Sequence, residues 1–184
     1  MLMKQIWWAI YRKYEVLMNI YKQGDVIIYG AEGLCKVVDI TEKQFGKEKV
    51  QYYVLEQMGK TGSVTYVPAN NERSLNKMRP VLTKEEIYTL FNDDAQKLDW
   101  IEKDRDRQKI FKEIILFGNT KDLINLIKTL HLKQQEQKII GKKLHISDER
   151  IFKDAEKIID EEIAYIFEIP KESVHDFIVE NIKK

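Results

Sequence analysis

A change of hydrophobic period near Leu82 constrains this fold more than any other feature of the chain. From Tyr21 to Val81 the apolar residues come in short, β-branched runs between glycines. From Thr83 onward they recur three and four residues apart. A period of two lays side chains on alternate faces of a strand, whereas the longer period gathers them on one face of a helix. The chain is therefore expected to be an α+β multidomain protein, strands first and helices second.

The strand half reads as residues 25–29, 34–40, 50–55 and 63–67, the last ending at Pro68. Gly30 and Gly33 bracket a tight turn, Gly46 lies in a polar hairpin, and Gly59 and Gly62 mark another turn. Short strands at even spacing with glycine turns predict a small Tudor- or SH3-like β barrel. The glycines lead into no helix, which excludes a phosphate-binding loop. Pro68 suits an edge strand because it has no N–H for a ladder, and an edge strand can recruit a partner by strand addition.

The helical half opens with a capping box, Thr83 and Glu86. A short helix to about Phe91 follows, then one over 100–117 stopped by Gly118. The next is capped by Asn119 or Thr120 and carries Leu123, Leu126, Ile127 and Leu130 on one face. After a break at Gly141, Ser147 is expected to cap a helix with Asp148 and Glu149 in its first turn. Its stripe is Ile151, Ala155, Ile158, Ile159, Ile163 and Ile166, and Pro170 starts the last helix. These elements predict a compact all-α helical bundle. The expected organisation is an N-terminal extension over 1–17, a barrel domain over 18–82 and a helical domain over 83–184. The extension holds Trp7 and Trp8 and precedes Met18, which reads as a natural start.

Composition narrows the chemistry. Cys35 is the single cysteine, inside an apolar run, so a buried thiol in a reducing, cytoplasmic protein is expected. The three histidines are scattered, which argues against a metal site. No apolar run approaches the roughly 20 residues that span a bilayer. No nucleophile–base pair or carboxylate pair appears, so neither an enzyme with a small-molecule substrate nor a cofactor is expected.

Net charge is only +1, but it is unevenly spread. Residues 97–143 hold 12 basic and 7 acidic side chains, and residues 144–184 hold 6 and 11. That asymmetry fits either a DNA-facing side or ordinary solvated helix faces. Trp100 opens one of the most highly charged stretches, with a basic residue at every second position from Lys103 through Arg105 to Arg107. An aromatic wedge beside basic side chains can enter a minor groove while gripping phosphates. A tryptophan near a helix start can equally be a packing anchor of its own domain.

Read in order, these features resemble the CarD/CdnL family of bacterial transcription regulators. The matching residues are Tyr21 to Tyr29, Gly33, Gly46, Tyr52 to Leu55, Val67-Pro68 and Met78 to Val81. They continue with Trp100 to Arg105, Gly118 and Ser147 to Arg150, so the resemblance runs from Met18 to about Phe167. It implies a Tudor-like domain docking on the β subunit of RNA polymerase, with contacts at positions matching Lys43 and Tyr66; Pro68, the edge-strand residue near Tyr66, is the third candidate of that surface. It also implies a helical domain on promoter DNA upstream of the −10 element, with Trp100 wedged at the edge of the opening bubble. Lys103, Arg105 and Arg107 would then contact phosphate. Glu102 and Tyr66 stand where the family carries basic residues. The alternative is a protein-binding adaptor that uses the barrel alone and leaves DNA untouched.

Overall fold

A computed structural model describes residues 21–45, 48–60, 62–92 and 98–181. The extension with Trp7 and Trp8, and the turn at Gly46, lie outside the described residues. In chain order the elements are β1 (Val26–Tyr29), a 3₁₀ turn (Gly30–Glu32), β2 (Gly33–Phe45), β3 (Glu48–Gln57), β4 (Val64–Pro68) and α1 (Glu72–Leu75). β5 (Met78–Pro80), α2 (Lys84–Asn92), α3 (Asp104–Phe117), α4 (Thr120–Ile139) and α5 (Ile146–Phe167) follow. A second 3₁₀ turn (Lys171–Ser173) leads into α6 (Val174–Asn181).

The five strands form one sheet in the order β4-β3-β2-β1-β5. Among the described residues the sheet is open, which corrects the expected closed barrel. Closure would need the two end strands to meet along a staggered ladder. One of them, β5, is only three residues long and was not anticipated from the sequence. β2 runs on well past Ile40, pairing antiparallel with β3 from Cys35↔Gln57 to Phe45↔Glu48. The apolar run stops at Ile40, but ladder hydrogen bonds do not need burial to continue. Lys43 is therefore a strand residue and not part of the hairpin turn. A bulge between Val37 and Asp39 shifts the register once and adds local twist. Tyr53, Leu55, Val67 and Cys35 are fully buried on this sheet, each large apolar side chain contributing about 1.5–3 kcal/mol.

The chain divides into two compact units. Of the described residues, one comprises those up to Ile27 with those from Cys35 to Met78, and the other comprises Ile28–Leu34 with those from Arg79 onward. The short segment around Gly30 thus belongs with the helices, where its 3₁₀ turn packs on α3 and α5. Gly30 and Gly33 both take positive φ, +45° and +75°, a conformation that side chains with a Cβ rarely tolerate.

In the second unit α3, α4 and α5 pack on one another. The capping box at Thr83 and Glu86 forms as expected, with Glu86 N–H donating to Thr83 Oγ1 and Thr83 N–H to Glu86 Oε2. Asn119 caps α4 through a second box with Asp122. Gly118 ends α3, but in extended backbone and not in the left-handed form. A Cβ there would lie 2.5 Å from the Ile114 carbonyl oxygen, so the close approach selects glycine. His145, not Ser147, is the N-cap of α5. Among the described residues no helix is long and apolar enough to cross a membrane.

The stripe expected on α5 is buried at Ile151, Ala155, Ile158, Ile159 and Ile163, and it includes two buried carboxylates, Asp148 in the first turn and Glu162 further along. Arg79 donates to both Glu162 oxygens at 2.8 Å, and Thr120 Oγ1 adds hydrogen bonds at 3.3 and 3.2 Å. A buried ion pair contributes little against an apolar replacement, but removing one partner strands the other. Glu162→Gln is therefore expected to destabilise the fold by about 3 kcal/mol or more. Chemical denaturation checks this, and a variant within 0.5 kcal/mol of wild type, about the level of an ordinary surface change, would contradict it.

Candidate functional site

α3 begins at Asp104, four residues later than the sequence suggested, because Lys103 takes the N-cap position. Asp104 and Asp106 then fall in the first turn, where the helix dipole favours negative charge. Trp100 to Lys103 form the non-helical approach to that end. The acidic residues beside the basic ones therefore serve the helix start.

The sequence groups Lys103, Arg105 and Arg107 as phosphate contacts, and the structure separates them. Lys103 and Arg105 are exposed. Arg107 is only 3% exposed, with Phe111 and Ile115 on the same inward face of α3. Its Nε and Nη2 donate to the two oxygens of Asp148, at 3.2 and 2.8 Å. Nη1 donates to the carbonyls of Ile101, at 2.7 Å, and Glu102, at 3.3 Å. Nη2 also donates to Asp104 Oδ1. Each nitrogen of the guanidinium thus has an acceptor, and no direction remains for a phosphate. Burial opposes the charge, but hydrogen bonds and attraction from Asp148 and Asp104 outweigh it and raise the pKa further.

Asp148 is itself 1% exposed and accepts from Gln108 Nε2 at 2.7 Å. Gln108 Nε2 also donates to Ser147 Oγ, which lies 2.6 Å from His145 Nδ1. The first turn of α5 is thereby fastened to the first turn of α3.

Trp100 stands on this frame. The Arg107 guanidinium carbon is 4.4 Å from its ring centroid, and Lys133 Nζ on α4 is 4.9 Å from it. Phe111 meets the indole edge-on, with centroids 6.3 Å apart at 64°. Cations over an indole are attracted by its ring quadrupole, more strongly when desolvated. The indole is half-buried, while Lys103 and Arg105 beside it in sequence are exposed. Lys133 also holds Glu136, at 3.1 Å. The sequence reading missed Lys133, Phe111 and Asp148 as neighbours of Trp100. Only spacing could have indicated part of this: Arg107, Phe111 and Ile115 follow at i, i+4, i+8, so Arg107 lies on the stripe that must turn inward.

The second set of candidates lies in the sheet. Lys43 pairs with Val50, Tyr66 with Val54 and Pro68 with Tyr52. Val50, Tyr52 and Val54 alternate along β3, so Lys43, Tyr66 and Pro68 share one face. Tyr66 is 47% exposed, and Lys43 Nζ sits 3.4 Å from its ring centroid. Tyr52 meets Tyr66 edge-on at 6.4 Å. β4 is an end strand of the sheet, as Pro68 suggested.

Comparison with known proteins locates this surface in a described domain. Residues 21–82 match the model of the CarD-like/TRCF RID domain. The chain is also 26% identical over 163 residues to YdeB of Bacillus subtilis (strain 168), a protein provisionally named a transcription factor. That match covers 86% of this chain and 99% of YdeB. The domain match over residues 21–82 and the likeness to YdeB over most of the chain both support kinship with the CarD/CdnL-type family.

Proposed function

We propose that this protein is a transcription regulator that bridges the β subunit of RNA polymerase and promoter DNA upstream of the −10 element. It is not an enzyme. The Lys43–Tyr66–Pro68 face of the sheet docks on polymerase, and Trp100 enters the minor groove at the upstream edge of the bubble. The observation that carries this reading is the state of Trp100. A large apolar side chain is only half-buried beside exposed basic residues, yet buried groups hold it in place. A braced indole loses little freedom on insertion, so more of its contact energy is left for opening. Lys103 and Arg105 supply the phosphate contacts, and Arg107 positions the indole.

Two phosphate contacts give weak, salt-sensitive binding on their own. Polymerase makes up the difference by raising the effective concentration of the helical unit at the promoter. The competing reading is the adaptor without DNA contact, favoured by the packing of Trp100 on Phe111. The following outcomes separate the two.

Stacking of an aromatic side chain on a base contributes about 1–3 kcal/mol, or roughly a 5- to 150-fold shift in an opening equilibrium. Trp100→Ala is expected to leave polymerase binding intact and to shorten the open-complex lifetime by about 5-fold or more. Competitor-challenged decay of the complex measures this, and equal lifetimes with a folded variant favour the adaptor. Tyr66→Glu is expected to weaken binding to the β subunit without unfolding, since its side chain is exposed. Unchanged affinity in a pull-down titration rejects that face. Arg107→Lys keeps the charge but cannot span Asp148 and two carbonyls at once. With Trp7→Phe and Trp8→Phe as background, it is expected to make Trp100 emission red-shifted and more iodide-quenchable. An unaltered spectrum would remove Arg107 from the positioning role.

A further inference from the structure

We infer that the turn joining α4 to α5 is a second DNA-contacting surface, built from Lys138, Lys142 and Lys143 with Ile139, Ile140 and Ile146. The inference deepens the DNA-bridging reading above, to which it adds a contact that the Trp100 segment does not contain.

The turn has a defined shape. Gly141 takes φ +72°. Lys142 N–H donates to the Gln137 carbonyl at 2.8 Å, and Gly141 N–H to the Lys138 carbonyl at 3.1 Å. These are the two bonds of a Schellman helix end, in which the residue after the glycine commonly packs on an apolar side chain one turn back. Here those two positions are Lys142 and Gln137, so no apolar contact closes the turn. The apolar residues face solvent instead: Ile139 is 85% exposed, Ile140 61% and Ile146 80%. Lys138, Lys142 and Lys143 are exposed among them.

Charge selects the partner. Residues 137–147 contain three lysines and no acidic residue, so the surface is complementary to a polyanion. Exposed isoleucines beside lysines suit duplex DNA, where apolar side chains wedge at base steps and cations neutralise phosphates. The location agrees. Lys133, against Trp100, lies six residues before Ile139 on the same helix, about 9 Å along its axis. At the other end of the turn, Asp148 holds Arg107 beneath the indole. The turn and Trp100 therefore flank the same end of the helical unit.

The test is a salt titration of the full chain against a fluorescein-labelled duplex. Combined Lys138→Gln, Lys142→Gln and Lys143→Gln is expected to reduce the slope of log affinity against log salt by about 2–3. Combined Ile139→Ser, Ile140→Ser and Ile146→Ser is expected to weaken binding with the slope unchanged. A folded lysine variant with wild-type slope and affinity overturns the inference. So does a variant that loses polymerase binding with its DNA titration unaltered, which would assign the surface to an acidic protein. Trp100→Ala belongs in the same titration, since an uncharged indole contributes nothing to the slope. A lysine-dependent slope alongside an inert Trp100→Ala in open-complex decay refutes the wedge and leaves this surface standing.

Discussion

A guanidinium left only 3% exposed must be fully partnered or it is not tolerated, and Arg107 satisfies that demand in the way that defines this protein's helical unit. Its partners come from three places: Asp148 at the start of α5, Asp104 at the start of α3, and the carbonyls of Ile101 and Glu102. Satisfying the charge therefore fixes the chain just after Trp100, clamps α3 to α5, and sets a cation 4.4 Å from the indole centroid. Without the carboxylates the cation would be unaffordable, and without the cation the carbonyls of 101 and 102 would have no reason to converge. The placement of the candidate wedge follows from the desolvation of one buried side chain.

The two candidate surfaces differ in kind, and that suits a bridging role. The sheet presents aromatic and aliphatic side chains with one lysine over a tyrosine ring, a composition typical of protein recognition. The helical unit presents basic side chains around a braced indole, a composition typical of nucleic acid. A net charge of +1 is no obstacle, because affinity for DNA need not reside in the free protein when polymerase supplies proximity.

Much of this arrangement was legible in the sequence. The strands at 25–29 and 63–67, the capping box at Thr83 and the stripe on α5 follow from period and local chemistry. The short elements α1 and β5 did not show, because three or four residues carry no period. The open sheet did not show either, since strand pattern is silent on whether end strands meet. At the site, Trp100 was singled out, but Arg107 was grouped with Lys103 and Arg105 from their alternation in sequence. A period of two has no meaning on a helix. Read at helical spacing, Arg107 falls in line with Phe111 and Ile115, and Asp148 and Glu162 fall on the apolar stripe of α5. Charged residues on a stripe that must be buried announce ion pairs, although the sequence does not say which residues pair.

The central claim is that Trp100 meets promoter DNA at the upstream edge of the bubble. Photo-crosslinking tests it most directly, with p-azidophenylalanine introduced in place of Trp100 and the protein bound to a polymerase–promoter open complex. The account predicts adducts on bases at the upstream bubble edge, which disappear when the promoter is kept closed. Adducts confined to polymerase subunits, or none on DNA in a complex that still contains the protein, would contradict it.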